Sequence, residues 1–264
     1  MTRGPGLVAT DLDGTLVHSD GSVTAYTREV LARLDERGVP VVFVTGRPLR
    51  WARDVFEHVG SHGLAVCANG ALVWDVAGDA VFLERPIPVE VAREVAERIR
   101  AAVPGSLFAV ENSAGLGLEP GYVVRRPAPE TRVAALDDLL ERPPLKLLAR
   151  HEELTPEDYW ARAEEVVGDL VTITWSSVGT LLEISAAGVT KASTLALLCD
   201  RLGVDAADVW AFGDMPNDLP MLTWAGTAYA MANAHPTVVA CADHLAPSND
   251  DDGVARVLAG ALEA

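Results

Sequence analysis

The feature that most constrains the fold is an alternation of short apolar runs with helical segments at the start of the chain. Residues 7–10 and 40–44 are apolar runs of strand length. Between them, the segment 24–37 carries apolar residues at helical spacing and is followed by Gly38, a typical helix stop. Buried strands that alternate with helices predict an α/β fold with a parallel sheet and helices on both faces.

The middle of the chain breaks this alternation. Pro86 and Pro88 interrupt it, and two helical segments follow among several strand-like runs, which indicates an α+β insert. After the insert the strand–helix alternation returns. We therefore expect a core formed by residues 1–82 plus 186–264 and an inserted domain formed by residues 83–185. The strand-like runs predicted in the insert are 107–110, 122–124, 145–149, 171–175 and 180–184.

The charge balance excludes several classes of partner. The 264 residues contain 38 acidic and 21 basic side chains, a formal net charge of −17, and both the core and the insert are acidic. Neither offers the basic surface that nucleic acid or an anionic membrane requires. Three cysteines without metal-type spacing, and no signal-like start, predict a cytoplasmic protein. We expect a monomer or a weak homodimer.

Polar clusters follow three of the predicted strands at the point where each strand ends. Because the carboxyl ends of parallel strands share one edge of a sheet, these clusters are expected to form one site. Lys191, one of only two lysines, lies near the start of the predicted helix after the insert. Several carboxylates on one edge repel each other unless a cation neutralises them, and oxygen ligands alone favour Mg²⁺. The clusters are Asp11-Leu12-Asp13-Gly14-Thr15, Thr45-Gly46-Arg47 and Gly213-Asp214-Met215-Pro216-Asn217-Asp218.

These residue types suit attack of a carboxylate on phosphorus. Such attack requires that the charges of the nucleophile and the phosphate be screened, which Mg²⁺, Lys191 and backbone amides could do. A second acid, Asp13, would protonate the leaving oxygen and then activate water. Gly14 would permit close approach of the backbone, and Thr45 and Asn217 could donate hydrogen bonds to phosphoryl oxygens.

The three clusters and Lys191 resemble the four motifs of the haloacid dehalogenase-like phosphohydrolases, and they occur in the same order along the chain, with Lys191 third. The segments 69–71, 248–250 and 253–255 resemble the Cof-type branch of that family. The resemblance implies a Rossmann-like core, an α/β cap domain over the site and Mg²⁺-dependent hydrolysis of phosphate esters. It further implies a role for each matching residue: nucleophile Asp11; acid/base Asp13; metal ligands Asp11, the main-chain carbonyl of Asp13, Asp214 and Asp218, the last as a ligand or a support; phosphate-binding residues Thr45, Gly46, Lys191 and Asn217.

Three functions are compatible with these motifs. The first is a phosphatase that acts on a small phosphorylated metabolite, with a sugar phosphate expected. The second is a phosphotransferase or phosphomutase that uses the same phosphorylated aspartate. The third is a non-catalytic protein that binds a phosphometabolite. The complete motif set favours catalysis.

Other features carry weaker signals. Gly115 and Gly117 miss the dinucleotide-binding spacing and are interpreted as loop residues. Hinges are expected at residues 83–86 and 185–188. Candidate contacts to the leaving group in the insert are Arg125, Arg126, Arg150 and the segment 175–177, each more often a surface or structural feature than a specificity determinant.

Overall fold

A computed structural model describes residues 4–59, 63–113, 115–124, 131–174 and 180–263. The chain forms two compact units, Met1–Leu83 with Thr190–Ala264 and Glu84–Val189. Their boundaries follow residues 83 and 189, whereas the sequence-based division ends the segments at 82 and 185. The second boundary lies later because a strand continues to Ala186 and Thr190 caps the next helix.

The elements alternate in the first unit and cluster by type in the second. The strands are β1 (Leu7–Asp11), β2 (Val41–Val44), β3 (Leu64–Cys67), β4 (Leu72–Asp75), β5 (Ala80–Glu84), β6 (Leu107–Asn112), β7 (Gly115–Leu118), β8 (Arg132–Val133), β9 (Lys146–Arg150), β10 (Val171–Thr174), β11 (Leu181–Ala186), β12 (Val209–Gly213), β13 (Thr227–Met231) and β14 (His244–Ala246). The helices are α1 (Ala25–Glu36), α2 (Leu49–Val59), α3 (Val89–Ala102), α4 (Leu136–Leu139), α5 (Pro156–Val167), α6 (Lys191–Leu202), α7 (Leu219–Trp224), α8 (Pro236–Val239) and α9 (Gly253–Glu263).

The first unit is built on an eight-stranded sheet in the order β14-β13-β12-β1-β2-β3-β4-β5. The strands from β14 to β3 are parallel to their neighbours, and β4 is antiparallel to β3. Ala9 at the centre of β1 is in register with Val42 on one side and Ala211 on the other. The carboxyl ends of β1, β2 and β12 therefore lie side by side, which confirms the predicted α/β fold class.

Capping residues define where helices α1 and α6 begin. The Thr24 hydroxyl accepts a hydrogen bond from the Thr27 amide at the start of α1. Thr190 and Ser193 form a reciprocal capping box at the start of α6, which places Lys191 in the first turn of that helix. Gly203 ends α6 in the left-handed conformation that glycine adopts without steric cost.

The second unit has a six-stranded sheet in the order β10-β11-β9-β6-β7-β8. Its main core contains the fully buried Phe108, Leu147 and Tyr159, supplied by β6, β9 and α5. The Tyr159 hydroxyl donates to the hydroxyl of Ser106, 3.0 Å away, so the buried phenol is satisfied. Burial of these side chains holds the helices on the sheet.

Two predictions in the insert were wrong. The loop interpretation of Gly115 and Gly117 fails because both lie in strand β7, antiparallel to β6. A Cβ at Gly117 would lie 2.6 Å from a methyl group of Leu139, so close packing and not loop flexibility requires this glycine. The strand expected at 122–124 has no regular structure, although Tyr122 is buried. Arg125, Arg126 and the segment 175–177 lie outside the described residues.

In the described ranges, no helix is both long enough and apolar enough to cross a membrane.

Candidate active site

Four of the polar side chains predicted from the motifs are positioned by strand ends and one helix start. Asp11 is the last residue of β1, and Thr45 directly follows β2. Asp214 directly follows β12, and Lys191 begins α6. Because β1, β2 and β12 are parallel neighbours, the first three side chains belong to the same edge of the sheet.

Three carboxylates meet at this edge. Asp11, Asp214 and Asp218 each present one carboxylate oxygen, and these oxygens lie within 4.8 Å of one another. All three side chains are buried. Carboxylates this close require compensation by a cation.

Lys191 supplies part of that compensation. Its ammonium donates to Asp11 Oδ1 at 2.5 Å and to Asp218 Oδ1 at 2.7 Å. Burial disfavours the charged ammonium, but the two carboxylates outweigh that cost and raise the pKa of Lys191. This lysine is therefore charged throughout the physiological range.

Asp218 also organises the loop after β12. Its Oδ2 accepts hydrogen bonds from the amides of Asp214 and Met215, both at 3.1 Å. The carboxylate thus joins Lys191 to the turn that carries Asp214. Both of its oxygens are engaged, which favours the supporting role over the ligand role among the two that the resemblance implies.

The charge at the edge remains unbalanced, because three carboxylates face one ammonium. Burial raises the pKa of Asp11, and Lys191 only partly opposes this effect. Burial likewise raises the pKa of Asp214 to about 6, opposed by a hydrogen bond from Thr15. A buried set of oxygen donors with excess negative charge fits a hard divalent cation such as Mg²⁺.

Asp13 differs from the buried carboxylates in its exposure. Its side chain is 56% exposed, and its two oxygens accept hydrogen bonds from the Arg47 guanidinium, with Nε 2.7 Å from Oδ2 and Nη2 bonded to Oδ1. Arg47 belongs to the cluster Thr45-Gly46-Arg47, but no sequence pattern predicted that it would pair with Asp13.

The backbone at Gly46 is enclosed by two amide side chains. A Cβ at this position would lie 2.9 Å from Asn69 Oδ1 and 3.9 Å from Asn217 Nδ2. Asn217, predicted to bind phosphate, therefore lies beside the Thr45-Gly46 turn. Asn69 lies in segment 69–71, which resembles the Cof-type branch, but the resemblance assigned it no role in the site. It is buried with a left-handed φ of 58°, a conformation that is uncommon outside glycine.

Three further side chains, to which the sequence motifs assigned no role, hold the loop after Asp11. The Thr15 hydroxyl donates to Asp214 Oδ1 at 2.8 Å. Asn233 donates to the Gly14 carbonyl at 2.7 Å, and Asn249 donates to the Val17 carbonyl at 3.0 Å. Asn249 falls in one of the segments that resembled the Cof-type branch, which was the available signal.

Gly14 provides a test of how tightly this loop is packed. Its φ is +76°, and a Cβ there would lie 2.5 Å from Asp214 Oδ2. We expect Gly14→Ala to displace Asp214 and to lower kcat about tenfold or more, in addition to a backbone cost of about 1 kcal/mol. Phosphate release and thermal unfolding measure the two effects.

Gly21→Ala is the matched control. Gly21 has a φ of +87° with nothing within 4 Å of the added Cβ, so this variant bears the backbone cost alone. Equal activity of the two variants would contradict the close contact with Asp214.

The other lysine is used elsewhere. Lys146 in β9 is buried and forms an ion pair with Glu183 of β11, inside the second unit. Both lysines of the chain are therefore buried and paired with carboxylates. Of the two, only Lys191 contacts the acidic cluster at the end of β1.

The chain is similar to known proteins over nearly its whole length. The model of a family of haloacid dehalogenase-like hydrolases matches residues 8–258. The chain is 28% identical to the 5-amino-6-(5-phospho-D-ribitylamino)uracil phosphatase YcsE of Bacillus subtilis, over 96% of this chain and 94% of that protein. It is 29% identical to the phosphoglycolate phosphatase of Methanopyrus kandleri, over 97% of both chains.

Solved structures show the same fold. SMU.1108c from Streptococcus mutans superposes with a TM-score of 0.85 at 26% identity, over 99% of this chain and 100% of that one. TM0651 from Thermotoga maritima superposes with a TM-score of 0.78 at 28% identity, over 98% and 97% of the two chains.

Proposed function

This chain belongs to the haloacid dehalogenase-like hydrolases and is a phosphoric monoester hydrolase, and from that premise we propose that Asp11 is the nucleophile that accepts the phosphoryl group of a small phosphorylated metabolite. The observation that carries the proposal is the contact of Asp11 with the Lys191 ammonium inside the buried acidic cluster. A carboxylate placed there has its charge compensated at the point where a second anion must approach.

Two steps follow from this assignment. In the first, a carboxylate oxygen of Asp11 bonds to phosphorus, the bond from phosphorus to the ester oxygen breaks, and Asp13 gives its proton to that oxygen. In the second, Asp13 takes a proton from water, the water oxygen bonds to phosphorus, and the bond from phosphorus to Asp11 breaks. Inorganic phosphate leaves, and Asp11 and the proton on Asp13 are restored.

A divalent cation completes the charge balance of this site. Asp11, Asp214 and the main-chain carbonyl of Asp13 would hold it, with Asp218 supporting the loop. When bound, Mg²⁺ supplies positive charge against the carboxylates and the phosphoryl oxygens. Lys191 holds the Asp11 carboxylate through its hydrogen bond to Oδ1.

We propose that hydrogen-bond donors around the Thr45-Gly46 turn bind the phosphoryl oxygens. The Thr45 hydroxyl, the Gly46 backbone, Lys191 and the Asn217 amide are the proposed phosphate-binding groups. The approach of Asn217 to Gly46 supports placing them in one set. These donors are neutral or cationic, as binding of a phosphate requires.

The organic part of the substrate differs among the relatives of this chain. The relatives named above act on a phosphorylated ribitylaminouracil and on phosphoglycolate, compounds that share little besides the phosphate ester. We propose that the second unit selects this part and that a sugar phosphate is the first class to assay. The cytoplasmic location, the lack of nucleic-acid partners and the monomer or weak homodimer stay predictions.

The direct test is release of phosphate from an aryl phosphate and from a panel of sugar phosphates, with Mg²⁺ or with EDTA. We expect release that requires Mg²⁺ and that is fastest with one of the natural esters. Release that is unchanged in EDTA would contradict the metal-dependent mechanism, and binding of phosphate esters without turnover would favour the non-catalytic alternative.

The raised pKa of Asp214 makes metal binding dependent on pH. Its folded pKa of about 6 exceeds the unfolded value of about 3.9, so the metal-free protein gains stability as pH falls through 6. Mg²⁺ binds the ionised form, and protons therefore compete with it. We expect Mg²⁺ to raise Tm strongly at about pH 7.5 and weakly at about pH 5.5.

Asp214→Asn serves as the comparison for that measurement. It keeps the shape of the side chain but removes the charge, so Mg²⁺ should change its Tm little at either pH. A Mg²⁺ effect in Asp214→Asn equal to that in the wild type would place the cation elsewhere.

A further inference from the structure

The guanidinium of Arg47 donates hydrogen bonds to both carboxylate oxygens of Asp13, the proposed acid/base. Nε donates to Asp13 Oδ2 and Nη2 donates to Asp13 Oδ1, the forked geometry in which arginine binds carboxylates best. A carboxylate held in this way has its favourable acceptor positions filled. In this arrangement the leaving oxygen of an ester and the Arg47 fork compete for Asp13.

The Arg47–Asp13 pair differs from the other ion pair of the site in its exposure. Arg47 and Asp13 are 25% and 56% exposed, whereas Lys191 and Asp218 are 3% and 0% exposed. Exposed ion pairs contribute little net stability, while a buried pair cannot be separated without leaving an uncompensated charge. The exposed pair can therefore rearrange at small cost, and the buried pair is fixed.

The main chain of Arg47 is anchored beside the phosphate-binding turn. Its amide donates to the Thr45 hydroxyl oxygen at 3.0 Å, and its carbonyl accepts from the Ala68 amide at 2.9 Å. The hydrogen bond with Asp13 raises the pKa of Arg47, and the negative charge of Asp11 contributes to the same shift. A phosphate group at Asp11 would add negative charge that also favours the guanidinium.

We propose that Arg47 is a substrate-binding residue that exchanges partners, holding Asp13 in the free enzyme and turning to the phosphate group when an ester binds. This inference rests on the proposed function, because it takes Asp11 as the phosphoryl acceptor. A phosphate carries close to two negative charges and several acceptor oxygens, so it competes well with a single exposed carboxylate. The exchange frees the oxygens of Asp13 for the ester oxygen only when substrate is present.

The test is the affinity for inorganic phosphate, measured by calorimetry in buffer with Mg²⁺. We expect Arg47→Ala to weaken phosphate binding about tenfold or more, the loss typical of a charge-assisted contact, and Arg47→Lys to weaken it less. KM for the ester should rise in parallel. Arg53→Ala is the matched control, because Arg53 lies in α2, the helix that follows Arg47, and contacts Trp74 and Asp79, so the phosphate affinity of this variant should not change.

A double-mutant cycle tests whether Arg47 exchanges Asp13 for phosphate or stays bonded to Asp13. With Asp13→Asn, Arg47 no longer has to leave a carboxylate, so the loss caused by Arg47→Ala should be larger in that background than in the wild type. If Arg47 instead stays bonded to Asp13 and never contacts phosphate, Arg47→Ala should not weaken phosphate binding in either background. Arg47→Gln, which keeps much of the side-chain volume, is measured alongside in case Arg47→Ala unfolds.

Unchanged phosphate affinity in Arg47→Ala or Arg47→Gln would overturn the exchange, and so would an equal loss in Arg53→Ala. Because this measurement needs no turnover, its failure is distinct from failure of the proposed function. The latter would appear as phosphate release that does not depend on Asp11.

Discussion

Asp11→Asn is expected to lower phosphate release by roughly 10⁴-fold or more, because an amide cannot replace a carboxylate as the nucleophile. The substitution preserves the size of a side chain that is buried at the end of β1. It also removes one of three clustered negative charges, so the folded protein should not lose stability through charge repulsion. Initial rates with an aryl phosphate, together with thermal unfolding, separate the loss of chemistry from a loss of fold.

Asp205→Asn provides the matched control for this substitution. Asp205 is exposed and makes no side-chain capping bond at the turn that it precedes. Its variant should keep wild-type activity. Residual activity of Asp11→Asn within tenfold of the wild type would rule out Asp11 as the group that accepts phosphorus.

Lys191→Met is expected to lower the free energy of unfolding by about 3–5 kcal/mol when Mg²⁺ is absent, since it leaves two buried carboxylates without their ammonium. Methionine keeps most of the volume, so the loss arises from charge and not from a cavity. Saturating Mg²⁺ should stabilise Lys191→Met more than the wild type, because the carboxylates left without their ammonium bind the cation more tightly, and a ligand at about 100 times its Kd contributes about 2.7 kcal/mol. Phosphate release should remain low, because the fixed ammonium is lost.

Lys146→Met tests whether this recovery belongs to the site. Lys146 is the other buried lysine and is paired with Glu183 in the second unit. Its substitution should also destabilise the protein, but Mg²⁺ should add no more stability to it than to the wild type. Equal recovery of both variants by Mg²⁺ would contradict binding of the cation at the acidic cluster. Denaturant titrations with Mg²⁺ and with EDTA provide the measurement.

Local sequence patterns predicted the parts of the site that depend on strand ends. Asp11, Thr45 and Asp214 each follow an apolar run, and parallel pairing of those runs is sufficient to align them. The position of Lys191 followed from the helix start after the insert, which the Thr190 cap now explains. These features are local in sequence or depend only on strand order.

Packing between distant segments could not be predicted in the same way. Asn69 has turn chemistry in the sequence, but its contact at Gly46 depends on the tertiary fold. The pair between Arg47 and Asp13 joins residues 34 positions apart through side-chain conformations that no pattern records. Gly117 looked like a loop residue because its partner, Leu139, is brought against it only by the folded sheet.

The most direct test of the account is to trap the phosphoryl group on the enzyme. Asp13→Asn should still react with an aryl phosphate, whose leaving group needs little protonation, but should dephosphorylate slowly without its base. After an acid quench, peptide mass spectrometry should then find one added phosphoryl group on Asp11, absent when Asp11→Asn is combined with Asp13→Asn. A phosphoryl group on another residue, or turnover by Asp13→Asn with no phosphorylated enzyme, would contradict nucleophilic catalysis by Asp11.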